Sequence, residues 1–192
     1  MEVSLAFYIV LFSVCMLEHF FYSFVWFKPK VARRMMTVVC GAKTDPCIAV
    51  HYGLMFNKLL QFSFYFYMCY AFNFQFAFFV DDVSIPYGAV SIYIALVLVG
   101  QYLNFSVYRA IGFEGVYYGI KFGKKVPWCS EFPYNVTWLK DPQYLGAWLS
   151  YFNAIFVLKS IMVPNAALAE IFGILQILLT FSYMFMSYVE ST

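Results

Sequence analysis

The run GAWLSYFNAIFVLKSIMV, Gly146 to Val163, is followed after only Pro164-Asn165 by AALAEIFGILQILLTFSYMFMSYV, Ala166 to Val189. Each run comes close to or exceeds the roughly 20 apolar residues a helix needs to cross the hydrocarbon core of a bilayer. A two-residue connection beginning with proline ends the first helix and reverses the chain, so the pair reads as an antiparallel membrane hairpin. Neither run alternates polar and apolar residues as the strands of a membrane barrel do, which leaves the α-helix as the spanning structure.

Working outward, three further runs qualify: Val3 to Phe27, interrupted by Glu18 and His19; Leu54 to Val80; and Tyr87 to Ile111. The second and third of the five are joined only by Asp81-Asp82-Val83-Ser84-Ile85-Pro86, a second hairpin. The expected fold is an all-α integral membrane helical bundle of about five membrane segments, forming a single domain over residues 1–192. The first segment either crosses the bilayer or lies in its interface. Composition agrees: the 192 residues are 64% hydrophobic and 11% charged, against about 25% charged in a soluble domain, and the mean hydropathy is +0.74. Twelve Lys and Arg face ten Asp and Glu, and the net charge of +2 comes without a long basic block. That argues against nucleic acid as a partner.

Val3 to Leu17 has the length of a signal sequence, but it is preceded by Glu2 instead of a basic residue. It runs on into Phe20, Phe21, Tyr22, Phe24 and Trp26 without a small-residue cleavage pattern, so it is expected to stay in the mature protein. Lys28, Lys30, Arg33, Arg34 and Lys43 make the first loop basic, and Lys121, Lys124, Lys125 and Lys140 do the same for the third. By the positive-inside rule both face the cytosol, with the N-terminus lumenal and Glu190 at the cytosolic end of the last helix. Lys159, near the opposite end, is expected to snorkel. The sequons at Asn104 and Asn135 then fall in a membrane helix and a cytosolic loop, where neither is modified.

Five cysteines form no CxxC, so no disulfide framework follows. Cys40, Cys47 and His51 lack the spacing and the fourth ligand of a zinc site, and no metal is expected. No internal repeat of the transporter kind is visible.

Polar residues and glycines concentrate between Gly100 and Gly146. In Gly112-Phe-Glu-Gly-Val-Tyr-Tyr-Gly-Ile-Lys-Phe-Gly123, the glycines at 115, 119 and 123 are four apart and on a helix share one bare face. Such a face admits either a neighbouring helix or a flat cofactor. Two prolines in Val126 to Asn135 force an irregular loop. Asp141-Pro142 reads as an N-cap with proline at the first helical position, and the free N–H groups of that helix start suit an oxygen-rich ligand.

Gly100 to Tyr108, Gly115 to Trp128, Glu131-Phe-Pro-Tyr134 and Asp141-Pro-Gln-Tyr-Leu-Gly146 resemble the plant-type phosphatidyl-N-methylethanolamine N-methyltransferases. The likeness is strong over most of the second half and looser in the first. It implies a membrane enzyme, usually of the endoplasmic reticulum, that moves methyl groups from S-adenosylmethionine to the amine of a phospholipid. Of the wider family's two cofactor motifs, Gly-x-Gly is represented by Gly100 alone and Glu-Glu by Glu190 alone. The related carboxyl methyltransferases of prenylated cysteine share Pro142, Tyr144 and Gly146, with Asp141 replacing their His. The candidate cofactor contacts are therefore Gly100, Gly112, Gly115, Gly119, Pro142, Tyr144, Gly146 and Glu190.

Methyl transfer from a sulfonium to an amine needs no metal and no covalent protein nucleophile; it needs alignment and a neutral amine. Glu114 and Glu131 are the candidate proton acceptors, with Asp141 third. Tyr117, Tyr118 and Trp128 are candidates to hold the lipid's cationic amine by cation–π contact. Glu190 sits where the helix macrodipole disfavours a negative charge, which suggests a functional reason for it. Glu18 and His19, costly at membrane depth, either face the headgroups, pair with Lys58 or mark an interfacial helix. The competing readings are a prenylcysteine carboxyl methyltransferase and a non-enzymatic helix bundle.

Overall fold

Prolines punctuate the chain where helices begin. In the computed structural model, which describes residues 5–73, 75–127, 129–163 and 166–191, six α-helices follow one another. They are α1 (Leu5–Phe27), α2 (Pro29–Cys40), α3 (Pro46–Ala71), α4 (Tyr87–Val116), α5 (Pro142–Ile161) and α6 (Ala166–Ser191). Pro29, Pro46 and Pro142 each open a helix, where the missing N–H would have had no intrahelical partner. Two 3₁₀ turns, Ala77–Phe79 and Gly119–Phe122, complete the chain's helical content. Among the described residues there is no strand, only an isolated bridge between Phe76 and Met162. The chain is an all-α membrane helical bundle.

Among the described residues, three segments are long and apolar enough to cross a membrane: Ala6–Phe27, Tyr87–Phe122 and Ala169–Glu190. The other two expected spans, α3 and α5, are diluted by Asn57, Gln61, Ser150 and Asn153, all of them buried inside the bundle. The expected boundaries of the second span shift as well. Helix α3 starts at Pro46, capped by Asp45, whose side chain accepts from the Cys47 N–H at 2.8 Å, and it stops at Ala71, short of Val80.

The first basic loop is itself largely a helix, which corrects the sequence reading. Along α2, Lys30, Arg33 and Arg34 lie on one side and Val31, Met35, Val38 and Val39 on another, the valines at 38 and 39 each 81% exposed. Ala32 is buried against the bundle. A basic helix with an exposed apolar stripe is the pattern of an element lying in a bilayer interface.

Lipid tails solvate apolar side chains about as well as a protein interior does, so association of these helices rests on close packing and interhelical polar contacts. The tightest junction is between α4 and α5. There Gly100 and Gly146 face each other backbone to backbone, Gln101 donates to Ser150 at 2.8 Å, and Tyr93 stacks on Phe156 with centroids 4.9 Å apart. Trp148 on α5 donates to Thr180 on α6 at 2.9 Å. Leu11, Cys15, Met68, Ile155, Ile171 and Leu175 close the core where α1, α3, α5 and α6 meet. At membrane depth Lys58 pairs with Glu18 at 2.8 Å and lies over the Tyr151 ring. Of the three expectations for Glu18, the pairing with Lys58 holds.

The two ends of the bundle differ. At one end Val163 N–H bonds the Gln75 carbonyl at 3.1 Å and Tyr8 reaches Glu170 at 3.0 Å. At the other, Lys124 bridges Asp45 and Glu114, so the two basic loops share one end. The turn expected at Pro164-Asn165 lies outside the described residues.

Candidate functional site

The basic end of the bundle contains a cavity of about 470 Å³. Trp26 enters it from the end of α1, Ile111, Gly115 and Val116 from the end of α4, Asp141, Pro142 and Tyr144 from the start of α5, and Glu190 from the end of α6. Tyr118, Tyr134 and Lys140 join the lining from the connection between α4 and α5.

Local backbone geometry aims these groups. Gly112, with φ +70, interrupts the helical path of α4 one turn before its end, a conformation open to glycine at no steric cost. Tyr118 takes the left-handed conformation, φ 58 and ψ 30, uncommon for a bulky side chain and sustained only where the surroundings fix it. What fixes it is Glu190. The Tyr118 hydroxyl donates to Glu190 Oε1 at 2.7 Å, and the Tyr144 hydroxyl donates to the same oxygen. Hydrogen bonds to a charged group contribute about 1.5–3 kcal/mol each, enough to offset the unfavourable macrodipole at a helix C-terminus. Lys121 Nζ sits 3.4 Å from the Trp26 ring centroid, so that face already attracts a cation.

Five of the candidate residues from the sequence line this cavity: Gly115, Pro142, Tyr144, Glu190 and Tyr118. Asp141, the third candidate acid, lines it too. Asp141 occupies the N-cap position of α5, yet its side chain makes no cap bond; the carboxylate accepts from Ser187 on α6 instead.

Other candidates sit elsewhere. Gly115, Gly119 and Gly123 do not share a helix face, because α4 ends at Val116 and a 3₁₀ turn bounded by Tyr118 and Gly123 in left-handed conformations follows. Gly119 is instead folded against the Glu114 carbonyl. Gly100 and Gly146 are turned into the α4–α5 contact. Glu114 is tied to Lys124 at 2.7 Å, and Glu131 lines a separate cavity of about 490 Å³ with Arg109 and Tyr102. Tyr117 points to His51 Nδ1 at 2.8 Å and Tyr108 at 2.5 Å. Trp128 lies outside the described residues. Among the described residues no group of three or more His, Cys, Asp or Glu is gathered in the manner of a metal site.

Trp26, Tyr134, Lys140 and Ser187 escaped the sequence reading. Trp26 had one local signal, as the last large aromatic before the Lys28-Pro29 break; Tyr134 closed the Glu131-Phe-Pro-Tyr134 motif and Lys140 counted only as a loop cation, while Ser187 had no signal. Burial pushes the Tyr134 phenol up to about 12, so it faces the cavity as a hydrogen-bond donor. Outside the cavity lining, the Lys124 ammonium holds the Asp45 carboxyl below its usual range, and the two carboxylates Asp45 and Glu114 together hold Lys124 above its own.

The family described as phospholipid methyltransferase matches residues 90–192, more than half of the chain. The chain is also 40% identical over 96 residues to a protein of Arabidopsis thaliana named phosphatidyl-N-methylethanolamine N-methyltransferase. That match covers 50% of this chain and 49% of the relative, so the chain spans about half the length of the curated relative it matches. No solved structure matches.

Proposed function

The chain belongs to the phospholipid methyltransferase family, and from that premise we propose that it methylates the amine of phosphatidyl-N-methylethanolamine and phosphatidyl-N,N-dimethylethanolamine to give phosphatidylcholine. S-adenosylmethionine is the methyl donor and phosphatidylethanolamine a poorer acceptor. The observation that carries the reading is the Glu190 carboxylate, held by Tyr118 and Tyr144 in a cavity at the basic end of the bundle.

The residues present fit that donor. Glu190 suits an ammonium or ribose hydroxyls, and Trp26, Ile111 and Val116 offer apolar surface to a flat base. The volume of about 470 Å³ lies within the roughly 300–1,000 Å³ usual for small-molecule sites. Bound there, S-adenosylmethionine supplies a methyl group activated by its sulfonium. The chain's own task is to hold the acceptor nitrogen in line, and alignment of this kind is equivalent to roughly 10⁵ M or more of effective concentration.

The nitrogen must also lose its proton, and of the three acidic candidates Asp141 alone lines the cavity. Its carboxylate, oriented by Ser187, takes the role of proton acceptor. The face of Tyr118 attracts the cationic amine of the product.

The whole of residues 1–192 acts as one unit in the endoplasmic reticulum membrane, with the N-terminus lumenal and the cavity cytosolic. The ion pair between Lys124 and Asp45, which places both basic loops at one end, supports that orientation.

The test is a membrane assay with labelled S-adenosylmethionine and, separately, phosphatidylethanolamine, its monomethyl form and its dimethyl form, with products resolved by mass. Turnover of the two methylated lipids with little from phosphatidylethanolamine is expected. Folded protein that turns over none of the three would overturn the proposal.

A further inference from the structure

A second cavity, of about 480 Å³, opens between α5 and α6 beside the first. Lys140, Asp141 and Tyr144 line both, so the two spaces are separated by one layer of side chains. From that shared wall the second cavity runs down the helices past Leu145 and Trp148 on α5 and Met184 on α6. Trp148 is fixed there by its bond to Thr180. Trp138, 76% exposed, marks the mouth, as tryptophans do at a membrane interface.

The chemistry along this groove is ordered. A cation, Lys140, stands outermost; next comes the Asp141 carboxylate, turned away from helix capping and toward Ser187, which also lines the groove. Apolar and aromatic side chains follow. An aminophospholipid has the complementary order, with an anionic phosphate, a cationic amine a few bonds away and acyl chains behind.

We propose that the α5–α6 groove is the acceptor-lipid site. A phospholipid enters from the bilayer between these helices, its phosphate meets Lys140, its amine meets Asp141, and its chains lie along Leu145, Trp148 and Met184. Tyr144 is the partition through which the amine reaches the neighbouring cavity. This rests on the proposed phospholipid methyltransferase activity, in that it explains how two substrates of opposite solubility meet: the water-soluble one from the basic end, the lipid from the side.

The groove is tested by photo-crosslinking full-length protein in nanodiscs with a phosphatidyl-N-methylethanolamine carrying a diazirine in its acyl chain, followed by peptide mapping. The expected result is labelling of residues 145–148 and 180–184 that saturates and is displaced by unlabelled aminophospholipid but not by phosphatidylglycerol. In parallel, Met184→Trp, at a position that lines the groove and not the donor cavity, is expected to raise the lipid KM about tenfold or more while leaving the S-adenosylmethionine KM within about twofold. Non-saturating labelling, or specific labelling confined to α1 and α3, would overturn the groove even if methylation is intact. If no aminophospholipid is turned over, the activity fails separately, and headgroup-specific displacement of the probe still decides the groove.

Discussion

Gly100 and Gly146 meet so closely that neither has room for a side chain: a Cβ on Gly100 would lie 2.6 Å from the Gly146 carbonyl oxygen, and one on Gly146 would lie 2.7 Å from that of Gly100. The obstructing atoms are backbone, which cannot rotate away. Gly100→Ala and Gly146→Ala are each expected to force α4 and α5 apart, at a cost of about 1–3 kcal/mol. The check is thermal unfolding in detergent alongside S-adenosylmethionine titration. A lowered midpoint with little change in the donor affinity of the folded fraction is expected. An unchanged midpoint with lost donor affinity would return both glycines to the cofactor site.

Glu190 is the group on which the proposed donor site depends most. Glu190→Gln keeps the shape and the capacity to accept from Tyr118 and Tyr144 while removing the charge, so the fold is expected to survive. S-adenosylmethionine affinity is expected to fall tenfold or more, about 1.4 kcal/mol per decade. Tyr118→Phe and Tyr144→Phe each remove one donor to the carboxylate, and about 1.5–3 kcal/mol of its support goes with each. Equilibrium binding in nanodiscs measures all three, and wild-type affinity in Glu190→Gln would remove Glu190 from the site.

The bundle itself was legible because apolar runs near membrane thickness need only composition to be seen. The basic helix α2 was not, since Lys30, Arg33 and Arg34 mark a charged loop as readily as one face of a short helix. The site was half legible. Pro142, Tyr144 and Glu190 were reached through family resemblance, and the structure gathers them around one cavity. The glycine face failed because a four-residue spacing speaks only if the helix continues, and α4 ends at Val116. The Gly100–Gly146 contact joins residues 46 positions apart, a distance over which one sequence carries no pairing signal. The release of Asp141 from its capping role depends on Ser187, as far along the chain.

The pairing of Glu18 with Lys58 makes a double-mutant prediction. Glu18→Leu leaves the Lys58 ammonium, whose side chain is 21% exposed, without its carboxylate; breaking a fully buried pair costs about 3–5 kcal/mol, and the loss here is expected at or below the low end of that range. Replacing both, Glu18→Leu with Lys58→Leu, removes the two desolvated charges together and is expected to recover most of the loss. Unfolding of the wild type, both single variants and the double variant in one detergent gives the coupling directly. Additive single effects would mean that the 2.8 Å contact is energetically idle.

The Asp45–Lys124–Glu114 cluster ties the start of α3 to the end of α4. The Asp45 carboxyl, hydrogen-bonded by Lys124, is depressed, so its contribution is present above its unfolded value of roughly 4 and fades as pH falls through the lower folded value. Lys124 is raised, so its contribution is complete below roughly pH 10 and is lost as pH rises through the higher folded value. The difference in unfolding midpoint between wild type and Lys124→Met is therefore expected to be flat from about pH 5 to pH 9. It should shrink toward pH 3 and again above pH 11. Because Asp45 and Glu114 remain partly exposed, solvent screening keeps the plateau small, and added salt lowers it further. A difference that peaks near neutral pH would overturn the assignment to Asp45 and Lys124.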